Sequence, residues 1–156
     1  MVSPAQLQKE LRTATIIYSA NFAAIFVYVA ITWLIKQNNL AANINVALAG
    51  LIYLRYAFYI LSIGLILVIP LLSRIFLGDT AKINNQDALL NKLRAICIIK
   101  GSMAEFPAVS GLILFLLSRQ ELDFYILCGV SFIALIIFFP RQQSWEEFLN
   151  KYPQLT

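Results

Sequence analysis

The chain contains no histidine. That removes imidazole metal sites, His-ligated haem and the Ser–His and Cys–His nucleophile pairs in one step. Charge is scarce as well: Asp, Glu, Lys and Arg make up 13% of the residues, against ~25% in a soluble domain. There are two cysteines, Cys97 and Cys128. Each falls near the start of its apolar segment, so antiparallel packing puts them on opposite sides of the membrane, beyond the ~7 Å between Cα atoms that a disulfide tolerates. Each is therefore read as a small buried hydrophobe. No glycine-rich phosphate loop is present. Lacking a nucleophile–base set and an inward pair of aspartates, the sequence reads as a non-enzyme that needs no cofactor and no metal.

What the chain has instead is apolar surface, with 60% hydrophobic residues. A transmembrane helix needs roughly 20 mostly apolar residues to cross ~30 Å of hydrocarbon. Four segments meet or approach that length, at about 14–35, 56–76, 95–118 and 124–140. The expected fold is an all-α integral membrane domain spanning the whole chain, with four transmembrane helices as two hairpins and short cytoplasmic helices at both ends. Lys9 and Arg12 precede the first segment, but it is longer than the ~7 to 15 residues of a signal-peptide core and reads as a retained helix. Lys9, Arg12, Arg74, Lys82, Lys92, Arg94, Arg141 and Lys151 fall at the termini and in the central loop. The positive-inside rule then puts both termini in the cytoplasm, in what reads as a bacterial inner membrane protein. These cations are spread singly at helix ends rather than gathered with aromatics on one face, so the net charge of +4 is no sign of nucleic acid.

Local signals mark where helices begin. "SPAQ", Ser3 to Gln6, has capping-box spacing with proline at the first helical position. "SWEE", Ser144 to Glu147, repeats the device and predicts a short amphipathic helix with Trp145, Phe148 and Leu149 against the lipid headgroups. Arg55, set among Tyr53, Tyr56 and Tyr59, belongs at the outer interface, because an arginine at mid-bilayer costs ~2.5 to 3.5 kcal/mol on insertion scales. Residues 46–54 then lie in the interface or extend the second helix outward. The run from Leu11, "LRTATIIYSANFAA", aligns with "LRAICIIKGSMAEF" from Leu93. This is either a doubled hairpin or the chance likeness of two apolar segments.

The candidate site is "GSMAEFPAVSG", Gly101 to Gly111. Glu105 stands eleven residues past Arg94, roughly 16 Å along a helix and thus near mid-bilayer. Gly101, Ala104, Ala108 and Gly111 recur at spacings of three and four and form a helix-packing stripe against which another helix can lie closely. A carboxylate on that stripe is dry, and is either hydrogen-bonded for structure or carries an ion. Pro107 predicts a helix kink, since it cannot donate to the carbonyl of Met103. Ser102 and Ser110 flank the carboxylate and, with Glu105, are the candidate oxygen ligands for H⁺ or Na⁺. Asn21 is a candidate polar partner from the first helix. Lys100 is expected to reach the inner headgroups along its own stem.

The run "KLRAICIIKGSMAEFPAVSGLILFLL", Lys92 to Leu117, resembles the carboxylate-bearing helix of the proteolipid (ring-forming c) subunits of rotary ATPases. The matching positions are Lys92, Leu93, Arg94, Glu105, Gly111 and Leu112. The resemblance implies that Glu105 is a proton or sodium site, with Ser102 and Ser110 placed to lend hydroxyls. It covers about a sixth of the chain. The preceding helix departs from the family's glycine ladder, offering only Gly64 beside a proline, Pro70.

Two functions follow. The first is a small polytopic membrane protein acting as a non-catalytic structural or accessory subunit of a larger membrane complex or homo-oligomer. Its partners are the lipid bilayer and other membrane subunits or copies of itself. The alternative is a proton- or sodium-translocating, proteolipid-like protein that uses Glu105.

Overall fold

The computed structural model describes residues 4–38, 48–78, 86–143 and 145. Four α-helices order the chain: α1 (Pro4–Gln37), α2 (Leu48–Gly78), α3 (Gln86–Ser118) and α4 (Glu121–Ile137), with no strand among the described residues. α1 begins at the proline whose fixed φ suits a first helical position. The capping residue Ser3 lies outside the described residues. α2 starts at Leu48, so Arg55 and its tyrosines sit within a helix rather than at its mouth. α3 continues unbroken through Pro107. α4 carries Glu121 and Asp123 in its first turn, where the helix dipole favours negative charge, and it stops short of Pro140.

Cross-helix bonds fix the directions. Glu10 on α1 faces Arg94 on α3, Lys36 at the end of α1 pairs with Glu121 at the start of α4, and Arg55 near the start of α2 pairs with Asp123. α1 and α3 therefore run parallel, and α2 and α4 run the opposite way. Arg119 and Gln120 alone join α3 to α4. Arg119 adopts φ 57°, the left-handed geometry that ends a helix, and its N–H bonds the Phe115 carbonyl at 2.8 Å.

α3 is the hub. It packs along α4, α1 and α2, whereas α1 and α2 rest on α3 rather than on each other. At about 100° per residue, the buried residues of α3 form one broad arc. Ser110 lies at the α2 edge of the arc, Gly111 faces α4, and Gly101 faces α1. The main core gathers Tyr18, Ile25, Ile69, Ala104, Ala108, Phe115, Phe124 and Leu135. A smaller cluster of Ala14, Leu93, Cys97 and Trp145 closes the Glu10–Arg94 end.

Trp145 corrects an expectation. It is 4% exposed and wedged between α1 and α3, not laid against headgroups. A ring of that area gains more from an apolar cleft than from an interface. Phe148, Leu149 and Glu147 lie outside the described residues.

The distribution of polarity is inverted relative to a water-soluble bundle. Phe26, Ile60, Leu67 and Ile75 are each more than 60% exposed, while Thr32, Ser62, Ser110, Asp123 and Ser131 are each 1% exposed or less. α1, α2 and α3 are each long and apolar enough to cross a membrane.

Candidate functional site

The small-residue stripe on α3 is the floor of the site, and all four of its members are buried. They serve two different neighbours. A Cβ at Gly101 would lie 2.7 Å from Asn21 Nδ2 and 3.3 Å from the Tyr18 ring, both on α1. A Cβ at Gly111 would lie 3.0 Å from the Leu127 Cβ and 3.3 Å from the Phe124 backbone, both on α4. The missing side chains thus let two helices approach α3 on adjoining flanks.

Glu105 stands at the α1 edge of this floor and is half-buried. Its partner is Tyr28, whose hydroxyl donates to Oε1 at 2.6 Å. The buried Thr32 hydroxyl is met within α1, donating to the Tyr28 backbone carbonyl at 2.9 Å. The expected partner, Asn21, lies instead one turn away, over Gly101. Side chains on a helix lean toward its N-terminus, so a long tyrosine set further along α1 reaches back to the carboxylate where a short asparagine does not.

The two serines do not join Glu105. Ser102 is exposed. It lies about 60° further round α3 than Glu105, on the side away from the buried arc. Ser110 is fully buried, but about 140° from Glu105 around the helix, on the α2 side. Its hydroxyl donates to the Pro107 carbonyl at 2.8 Å and lies 3.4 Å from the Ser62 hydroxyl of α2. Glu105, Ser102 and Ser110 therefore form no common oxygen cage. They stand within about a turn and a half of Pro107, and helical phase turns Glu105 to α1, Ser110 to α2 and Ser102 outward.

Pro107 is buried. It leaves the Met103 carbonyl without its usual donor. At the next carbonyl, Ala104, the Ser131 hydroxyl of α4 donates at 2.6 Å. The loosened turn is thus stitched to α4 by a side chain.

A second polar centre lies at the Arg55 end. Asp123 is 1% exposed. Its Oδ1 receives Arg55 Nη2 at 2.8 Å and the Tyr59 hydroxyl at 2.9 Å, both from α2. A cleft of ≈ 350 Å³ opens beside the pair, floored by Leu51, Ile52 and Leu114 and rimmed by Ser118 and Gln120. The more exposed Lys36–Glu121 pair, at 2.8 Å, ties α1 to α4 at the same end. At the opposite end a cleft of ≈ 340 Å³ lies between Gln6, Lys9, Glu10, Leu90 and Asn91. There Glu10 Oε2 stands 3.7 Å from Arg94, beyond hydrogen-bond reach.

Sequence reasoning named neither Tyr28 nor Asp123. For Asp123 a signal existed: the positive-inside argument sets Arg55 and the start of α4 at one end, and an aspartate in an apolar helix needs a cationic partner if it is to be buried. Both cysteines are free and buried. Among the described residues no three His, Cys, Asp or Glu side chains gather as metal ligands do. No family model, no curated protein and no solved structure matches the chain.

Proposed function

We propose that the protein is a non-catalytic subunit of a larger membrane assembly, in which Glu105 is a structural hydrogen-bonding group rather than an ion carrier. One observation carries this reading. The polar side chains around Glu105 are met separately, Tyr28 to Glu105 between α1 and α3, Ser131 to the Ala104 carbonyl between α4 and α3, and Ser110 to the Pro107 carbonyl within α3, instead of converging on a shared space. Such bonds lock helices together in an apolar medium that offers no competing water.

In this reading the chain crosses the bilayer four times. α4 has seventeen residues, at the short limit of ~17 to 25 for a span. Both termini lie in the cytoplasm, as the spread of Lys and Arg requires. α2 touches the bundle chiefly through α3, which leaves most of its circumference for lipid or for a neighbouring helix.

Native mass spectrometry of the protein extracted gently from its own membrane tests the assignment. A defined assembly, with other subunits or with further copies, is expected. Ion flux in liposomes made with the purified chain alone, lost in Glu105→Gln, would overturn it in favour of the proteolipid-like alternative.

A further inference from the structure

From Glu105 toward the Arg55 end, the polar side chains that face the interior are bonded within the protein. Tyr28, Thr32, Ser62, Ser110, Tyr59, Asp123 and Ser131 all have partners. One turn from Glu105 in the other direction the pattern reverses. Tyr18 is 1% exposed, yet its hydroxyl has no protein partner. Asn21 Nδ2, three residues further along α1, is equally enclosed and equally unmet.

The two side chains share one location. Both lie against Gly101 of α3, which accommodates them by having no Cβ. The Tyr18 ring packs edge-on against Phe139 at 5.8 Å between centroids, which walls the α4 side. One turn toward the Arg94 end the space is closed by Ala14, Cys97 and Trp145, with the Trp145 side chain hydrogen-bonded to the Cys97 thiol. The Tyr18 hydroxyl and the Asn21 amide thus lie without a protein partner in a largely apolar enclosure. Buried polar groups in native proteins are met by a partner or by ordered water.

We propose that Tyr18 and Asn21 hold internal water against α3 at Gly101, so that the α1–α3 contact is hydrated on the Arg94 side of Glu105 and dry on the Arg55 side. The donor set selects the ligand. A hydroxyl and a single amide supply too few oxygens and no negative charge to hold a desolvated metal cation, and no positive charge to offset a buried anion. Water, with two donors and two acceptors, matches a tyrosine hydroxyl that can do either and an amide that donates. The site sits about 6 Å along α3 from Glu105, so the carboxyl has polar solvent as a near neighbour on one flank only. This assignment is independent of whether Glu105 carries an ion.

X-ray hydroxyl-radical footprinting of the folded protein in detergent tests it, since bound water is radiolysed in place and oxidises the ring beside it. Tyr18 and Phe124 are almost equally shielded, at 1% and 0% exposed. Oxidation of Tyr18 several-fold faster than that of Phe124 is expected, with loss of that excess in Asn21→Leu. Equal, slow oxidation of the two rings in the unsubstituted chain overturns the proposal by itself. So does an excess at Tyr18 that survives in a folded Asn21→Leu protein.

Discussion

At the scale of single residues, the two buried glycines of α3 are not equivalent. Alanine at Gly101 meets only side-chain atoms, the end of Asn21 at 2.7 Å and the Tyr18 ring at 3.3 Å, whereas alanine at Gly111 meets the Phe124 backbone and the Leu127 Cβ. Replacing a helical glycine gains up to ~1 kcal/mol of helix propensity, and overpacking a rigid contact costs ~1 to 3 kcal/mol. Gly101→Ala is therefore expected to leave the melting temperature in detergent nearly unchanged, and Gly111→Ala to lower it. The Tyr28–Glu105 bond is a second point of leverage. A double-mutant cycle over Tyr28→Phe and Glu105→Leu, read by thermal unfolding, is expected to show a coupling of roughly 0.5 to 1.5 kcal/mol.

The stripe itself was legible in the sequence, because small residues at spacings of three and four have one structural meaning in an apolar helix. The partner of Glu105 was not. Residue type alone suggested Asn21, but the choice between it and Tyr28 depends on side-chain length and on the relative height of two helices far apart in sequence. Ser102 shows the limit of spacing arguments. Three residues from Glu105 counts as adjacent along the helix, yet the same step carries Ser102 past the edge of the buried arc.

At the scale of elements, α2 is held by a few named contacts: the apolar surface of α3, the Ser62–Ser110 approach, and the grip of Arg55 and Tyr59 on Asp123. The ends of that grip differ in exposure, Arg55 at 42% and Asp123 at 2% of the side chain. Arg55→Leu leaves a dry, unpaired carboxylate and is expected to destabilise by about 3 to 5 kcal/mol. Asp123→Leu frees a half-exposed arginine that water can reach, and about 1 to 3 kcal/mol is expected. Thermal unfolding of the two variants checks the order; the reverse order would mean that Asp123 is better solvated than its burial indicates. Lys36→Ala, at an exposed pair, is expected to cost no more than ~1 kcal/mol. Helix count and approximate location were readable from apolar run lengths, and the extension of α2 over residues 48–54 was one of two alternatives the sequence left open, but the start of α3 was not readable, since that helix extends into a polar flank, residues 86–92, that hydropathy does not mark.

At the scale of the whole molecule, the apolar exterior and hydroxyl-bearing interior make the same demand on every outward side chain. Ile60 is 72% exposed and belongs to none of the core clusters. In a water-soluble bundle, lysine there would be harmless. On a bilayer-facing helix it costs ~2.5 to 3.5 kcal/mol on insertion scales. Ile60→Lys is expected to reduce the amount of protein recovered in the membrane fraction, with unchanged recovery counting against insertion of α2. This inversion was foreseeable from composition alone, whereas the hub position of α3 was not: four apolar segments of similar length do not reveal which of them the others will share.

That Asp123 answers to both Arg55 and Tyr59 sets the order in which the chain can be completed during synthesis. The two residues of α2 that need it leave the ribosome more than sixty positions earlier, a delay of seconds at ~5 to 20 residues per second. Until α4 is made, the first half of the nascent chain holds Arg55 without its Asp123 counter-charge.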